Sequence, residues 1–305
     1  MTEDQNETDQ GTVLKISTGP QENRFSRFEL IRWWDQSRLK NARVLVIGAG
    51  ALGNEIIKNL ALVGIGNILL VDFDQIEPSN LSRSVLFRES DRGRNKADVA
   101  AERARELFPE INIRPLCVNA VTDLGLGVFY WADVILGGLD NREARLAINQ
   151  NAFRSGKSWI DGAIEGLSGV ARVFAPDGPC YECTMSEVDW KILNARRSCT
   201  LLTREEMMSG KTPTTPTIAS IIAAVQCQEA IKMLHGLETI SGQGYIFEGL
   251  SFYQDVISYK RKAECYSHET FLPVCNLDFR ADSLKLGDAI KLVRNDLGPA
   301  AVLEL

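Results

Sequence analysis

The stretch VLVIGAGALGNEIIKNL, beginning at Val44, constrains the fold more than any other feature of the chain. It reads as a short apolar strand, a glycine-rich turn and an amphipathic helix. Gly48, Gly50 and Gly53 fit the G-x-G-x-x-G spacing, between a strand and a helix as that pattern requires. Glycines there permit a tight turn. They also let backbone N–H groups approach a phosphate near the positive end of a helix dipole. Asp72, at the end of the next strand, stands where a ribose hydroxyl is held. Taken alone, the arrangement says dinucleotide enzyme, with an NAD-dependent oxidoreductase as the default.

Alternating units surround this motif. RVLVIG reads as a strand, residues 51–63 as a helix, NILLVD as a strand and KADVAAERARELF as a helix with its charges on one face. INIRPLCVN and DVILGGL are strands, and REARLAINQNAFRSG is a helix that Gly156 caps. KSWIDGAI and SGVARVFA continue as β-like runs. This βαβα order predicts an α/β, Rossmann-like, mostly parallel sheet with helices on both faces. RFSRFELIRWWDQSRLKNA is expected to be a helical lead-in. From Pro179 to Pro216 the pattern breaks into what reads as a long irregular loop, and such loops in compact enzymes are usually functional. TPTIASIIAAVQCQEAIKML follows as a helix with Thr215 at its N-cap and Pro216 in its first turn. GYIFEG and FYQDVISYK add strands before a Cys/His segment.

The residues after Asp72 change the nucleotide. DFDQIEPSNLSRSVLFRESDRGRNKADVA places Asn80, Arg83 and Lys96 downstream of the acidic residue. One such basic residue alone is a solvated surface charge. The cluster suits an enzyme that cleaves a triphosphate, whose leaving pyrophosphate needs fixed donors as negative charge builds. SGKT at 209–212 is not a P-loop, because the full pattern needs glycine where Glu205 stands. A net charge of −6 and a pI near 5.2 argue against nucleic acid as a partner. No run approaches the ~20 apolar residues of a membrane span. Seven cysteines, an odd number in a long chain, suit a reducing cytoplasm with thiols kept for metal or chemistry.

RFSR, GAGALG, VDFDQIEPSNLSR, GRNKA, GGLDN, PCYEC and EAIKML stand in the order of the ThiF/MoeB/ubiquitin-activating superfamily, and the chain resembles its compact bacterial members over roughly residues 24–268. The resemblance implies ATP with Mg²⁺ rather than NAD, and adenylation of the C-terminal glycine carboxylate of a ubiquitin-like or sulfur-carrier protein. By it, Asp72 binds the ribose while Asn80, Arg83 and Lys96 hold the phosphates. Asp140 positions Mg²⁺ with Asn141 beside it. Arg27, the second arginine of RFSR, reaches across a homodimer into the partner's ATP site. A carboxylate is already ionised at neutral pH, so this chemistry needs no general base. The scarcity of histidine, His235 and His268 alone, agrees with that.

The cysteines divide by place. Cys199, followed by Thr200, matches the thioester-forming cysteine of family members that carry one in this loop, with Arg196 and Arg197 near in sequence to favour the thiolate. A small buried thiol is the plain alternative. Cys180 and Cys183 form C-x-x-C, a zinc knuckle by spacing. Relatives pair it with a second C-x-x-C, whereas this chain offers Cys265 and His268, with Cys275 a rival for the fourth position. Cys117 and Cys227 read as core residues.

The expected organisation is a disordered tail over 1–22, an adenylation domain over 23–275 with the catalytic-cysteine loop about 184–215, and a C-terminal extension over 276–305 that docks a partner. The tail is polar and acidic, without the apolar core of a secretion signal. The extension ends in an apolar run, as a truncated sequence would. The chain lacks the large inserted cysteine domain of eukaryotic ubiquitin-activating enzymes. Its atypical Cys/His segment favours transfer to a conjugating enzyme, as in bacterial ubiquitin-like antiviral operons. The alternative is adenylation of a sulfur carrier for thiamine or molybdopterin type biosynthesis. An oxidoreductase lacks an identifiable hydride-relay group, and an inactive scaffold is disfavoured by the complete phosphate and acidic set.

Overall fold

The structure, a computed structural model, describes residues 22–197, 213–268 and 283–299. The chain divides into two compact units, residues 1–270 and 271–305. In the first, the described strands form one sheet: β1 (Arg43–Ile47), β2 (Asn67–Val71), β3 (Asn112–Leu116), β4 (Val134–Gly137), β5 (Trp159–Glu165), β6 (Ser168–Phe174), β7 (Gln243–Glu248) and β8 (Tyr253–Ser258). Their order is β3-β2-β1-β4-β5-β6-β7-β8. The run from β3 to β5 is parallel, and β6, β7 and β8 add on antiparallel. β1 is apolar along nearly its whole length because helices cover both of its faces. The chain leaves β1 toward β2 on one side and later returns to β4 on the other. The carboxyl ends of β1 and β4 therefore form the switch point at which open parallel sheets bind ligands.

The helices of this unit are α1 (Gln36–Asn41), α2 (Ala51–Leu62), α3 (Lys96–Leu107), α4 (Leu126–Trp131), α5 (Arg142–Arg154), α6 (Tyr181–Thr184), α7 (Glu187–Arg197) and α8 (Pro216–His235). α2, α3 and α8 cover one face with a core that includes Ile56, Leu60, Val99, Ile222 and Ala230. α4, α5 and α6 cover the other around Phe129, Trp159, Phe174 and Tyr181. Local chemistry starts the helices where expected. Asn95 caps α3, Asn141 caps α5, and Thr215 caps α8 with Pro216 behind it. Gly236, at φ 72°, ends α8 in the left-handed conformation that glycine adopts most easily. In the second unit α9 (Leu286–Leu297) is a short helix ended by Gly298 at φ 97°.

Four expectations are corrected. The segment after Pro179 is not irregular throughout, because α6 and α7 occupy its first part. The lead-in is not one helix but a 3-10 turn at Phe28–Leu30 followed by α1. Cys117 is exposed, one residue beyond the end of β3. Among the described residues α8 is long and apolar enough to cross a membrane by length and composition, contrary to the sequence reading. It packs instead against α2, β5 and β6, with Gln226 and Glu229 buried in its middle.

Candidate active site

At Gly48 and Gly53 the glycine turn is built on backbone contacts that leave no room for side chains. Gly48 has φ 97°, and a Cβ there would lie 2.4 Å from the carbonyl oxygen of Gly138. A Cβ on Gly53 would lie 1.9 Å from the Gly48 carbonyl oxygen. A Cβ on Gly50 would meet nothing within 4 Å, so this part of the turn is open to a ligand. Buried Asn54 fastens the turn: its Nδ2 donates to the Ala49 carbonyl at 2.6 Å, and its Oδ1 accepts from Leu86 N–H at 2.9 Å. The turn is thereby tied to the segment that follows Arg83.

Asp72 stands beside it. One carboxylate oxygen accepts from Ala49 N–H at 2.7 Å and the other from Asp74 N–H at 2.8 Å. Burial lifts its pKa above the ordinary 3.8, against the opposing pull of these N–H groups and the Lys96 charge. Asn80 braces its own 3-10 turn, its Oδ1 accepting from Glu77 N–H at 2.9 Å. Arg83 donates to the Ser79 carbonyl at 2.6 Å. Lys96, at the start of α3, donates to Asp74 at 2.7 Å from inside the same cleft. Asp140 and Asn141 close it at the end of β4. Asn141 caps α5 through Ala144 N–H at 2.7 Å and reaches Asp140 Oδ1 at 3.3 Å.

The fold therefore gathers Gly48, Gly50, Asp72, Asn80, Arg83, Lys96, Asp140 and Asn141 onto one cleft of about 1620 Å³, with Gly53 packed behind the turn. The cleft continues over the β5–β7 face past Arg172, Tyr181, Glu248 and Tyr259. Sequence reasoning missed the buried charges under this second half. Asp161, fully buried, accepts from Arg145 Nε at 3.0 Å and faces Arg172 at 3.4 Å. No local motif marks them, since the partners are brought together by strand register and by α5. Arg27 is exposed and does not line the cleft. Its neighbour Phe25 packs against Gly64, beyond the end of α2 that lies away from the glycine turn, and twelve helical residues rise ~18 Å. Cys199 and Cys275 lie outside the described residues.

A second cluster joins α6 to the turn after β8. The ligand atoms of Cys180, Cys183, Cys265 and His268 all lie within 4.8 Å of one another. Cys180 Sγ is 3.7 Å from Cys183 Sγ and 3.5 Å from Cys265 Sγ, and Cys183 Sγ is 3.3 Å from His268 Nε2. Tetrahedral Zn–S bonds set sulfur atoms ~3.8 Å apart, so these residues fit that ion. Burial pushes the Cys180 and Cys265 thiols up, so a bound cation is what would favour their ionised form. Buried Glu182 supports the turn by accepting from Ser267 N–H and its hydroxyl.

The ThiF family model matches residues 23–267, most of the chain. The chain belongs to the ThiF family. Over 233 residues this ThiF-family chain is 34% identical to the probable adenylyltransferase/sulfurtransferase MoeZ of Mycobacterium tuberculosis, covering 74% of this chain and 56% of MoeZ. It thus spans little more than half the length of that relative. It is 29% identical over 248 residues to the SAMP-activating enzyme E1 of Haloferax volcanii, covering 79% of this chain and 82% of that one. Its fold is similar to the crystal structure of E. coli MccB with ATP, at a TM-score of 0.68 and 25% identity over 82% of this chain and 75% of MccB.

Proposed function

We propose that this ThiF-family chain uses ATP to adenylate the C-terminal carboxylate of a ubiquitin-like or sulfur-carrier protein. The observation that carries this reading is the single continuous cleft, lined by the glycine turn, Asp72, Lys96 and Asp140 and continuing over the β5–β7 face. Relatives named as adenylyltransferases and a structural neighbour holding ATP support it. A carboxylate oxygen attacks the α-phosphorus, a new P–O bond forms, the α–β phosphoanhydride bond breaks, and pyrophosphate leaves. Asp72 holds the ribose. Asn80, Arg83 and Lys96 bind the phosphates and stabilise the departing charge, Lys96 exchanging Asp74 for a phosphate oxygen. Asp140, with Asn141, would hold Mg²⁺, which when bound would supply charge neutralisation at the phosphates. Alignment and charge do most of the work, because no proton need move.

The finer reading adds a thioester on Cys199 and transfer to a conjugating-type enzyme, with zinc at the Cys/His cluster as a structural brace. The test is carrier-dependent exchange of pyrophosphate into ATP with Mg²⁺. Cys199→Ala is expected to leave exchange intact and abolish a thiol-sensitive covalent adduct with the carrier. If the wild-type chain exchanges but never forms the adduct, it stops at the adenylate, as a sulfur-carrier enzyme does. Nicotinamide binding with no exchange for any carrier would overturn the reading altogether.

A further inference from the structure

Asp140 lies at the end of a turn whose preceding backbone is held, residue by residue, by a different element. Gly137 is held from α8. Gln226 is fully buried, and its Nε2 donates to the Gly137 carbonyl at 2.8 Å and to the Ile160 carbonyl at 3.2 Å. One side-chain amide thus bridges the end of β4 and the start of β5. Gly138 is held from β1: its N–H donates to the Ile47 carbonyl at 2.8 Å, and a Cβ there would lie 2.9 Å from Gly53 N. Leu139 is held from α5, where Arg145 donates to its carbonyl at 2.5 Å and to the Gly162 carbonyl at 3.1 Å.

We propose that Gln226 and Arg145 are positioning residues that set where the Asp140 carboxylate stands in the cleft, and so how well the site takes Mg²⁺ with ATP. This rests on the role given to Asp140 above. The choice of an amide at Gln226 supports it. Its Oε1 is buried with no hydrogen-bond partner, and Gly162 lies so near that a Cβ there would be 2.3 Å from it. An apolar side chain would fill this core without a stranded acceptor. What only Gln226 gains is the pair of donations to β4 and β5. A flipped amide would set Oε1 against two carbonyl oxygens, so its orientation is fixed. Arg145 is equally committed. Its Nε is taken by Asp161, whose charge is shared with Arg172, so its terminal nitrogens are left for the backbone of the turn. Among the described residues the Asp140 side chain accepts one hydrogen bond, from its neighbour Asn141 at 3.3 Å, so its position follows from the backbone one residue before it.

The test uses the full chain and reads ATP affinity by calorimetry across a series of Mg²⁺ concentrations. Gln226→Met keeps the volume and removes both donors. Arg145→Lys keeps the charge against Asp161 and removes the fork. In each, the Mg²⁺ concentration giving half the effect on ATP affinity is expected to rise about tenfold or more. Affinity for ATP without Mg²⁺ is expected to change by less than about twofold. Asp140→Ala should erase the Mg²⁺ effect. If both variants show the wild-type Mg²⁺ dependence, the inference is wrong and the proposed activity stands. A wild-type chain that binds no ATP takes down both. Should one variant fail to fold, the other carries the same reading.

Discussion

At the scale of the residue, Asp72 shows a site held against the interests of stability. Its carboxyl is raised by burial more than two N–H donors and the Lys96 charge lower it. The unfolded chain therefore gives up this proton more readily than the folded one. Below both values the residue costs nothing. As pH rises from the ordinary 3.8 through the higher folded value, stability is lost, and above that the loss is constant. Asp72→Asn keeps an oxygen that can accept from Ala49 N–H, leaves the exposed Asp74 N–H to water, and removes the buried charge. Its thermal midpoint at neutral pH is expected to match or exceed that of the wild type, with the gap closing under acid. ATP affinity is expected to fall about tenfold, as for a lost charge-assisted bond. Melting curves across pH, beside ATP titrations, check both arms. A lower midpoint at neutral pH would show that the carboxylate is stabilising. Asp72 was legible in the sequence because its chemistry is local to one strand–turn–helix unit. Gln226 was not, since its partner Gly137 lies 89 residues away and only packing brings them together.

At the scale of the element, α6 is a helix of four residues that cannot hold its shape alone. It is pinned by Tyr181 N–H on Asn149 Oδ1 at 2.8 Å, by Glu182 on Ser267, and by the sulfur cluster. The C-x-x-C spacing announced this cluster, and His268 stands where the sequence offered it, stacked on Phe153 at 4.8 Å. What the sequence hid was that the chain turns helical at α6 and again at α7, because a run of Cys, Met, Gly and Pro around them reads as loop. One zinc per chain is expected by metal analysis of reduced protein. His268→Ala is expected to lose the metal and Cys275→Ser to keep it. Chelation should lower the thermal midpoint by several degrees, about 1–2 kcal/mol for a domain of this size. Reduced protein free of any metal would refute the site.

At the scale of the whole molecule, the mostly parallel sheet and its two helical layers follow from the alternation of apolar runs, while the strand order and the position of the RFSR segment do not. Phe25 and Trp34 bind that segment to the core, with Asp35 N–H donating to His235 Nε2 at 3.0 Å. The segment is thus fastened far from its own cleft. The expectation is that the Arg27 meeting a triphosphate comes from a second copy, and a two-fold dimer would make the exchange reciprocal. Mixing Arg27→Ala chains with Asp140→Ala chains is expected to restore one intact site per heterodimer, with exchange activity well above either mutant alone. Mixing that restores nothing, with subunit exchange verified, would sink the composite site.

The sheet changes from parallel to antiparallel pairing between β5 and β6. Everything that cradles the nucleotide precedes that change in the chain, and the exposed β8 edge comes after it. Evolution is thereby given a seam. Descendants can remodel the second half to meet a new client while inheriting the first half unchanged, so a lineage that shares one fuel can diversify in what it spends that fuel on.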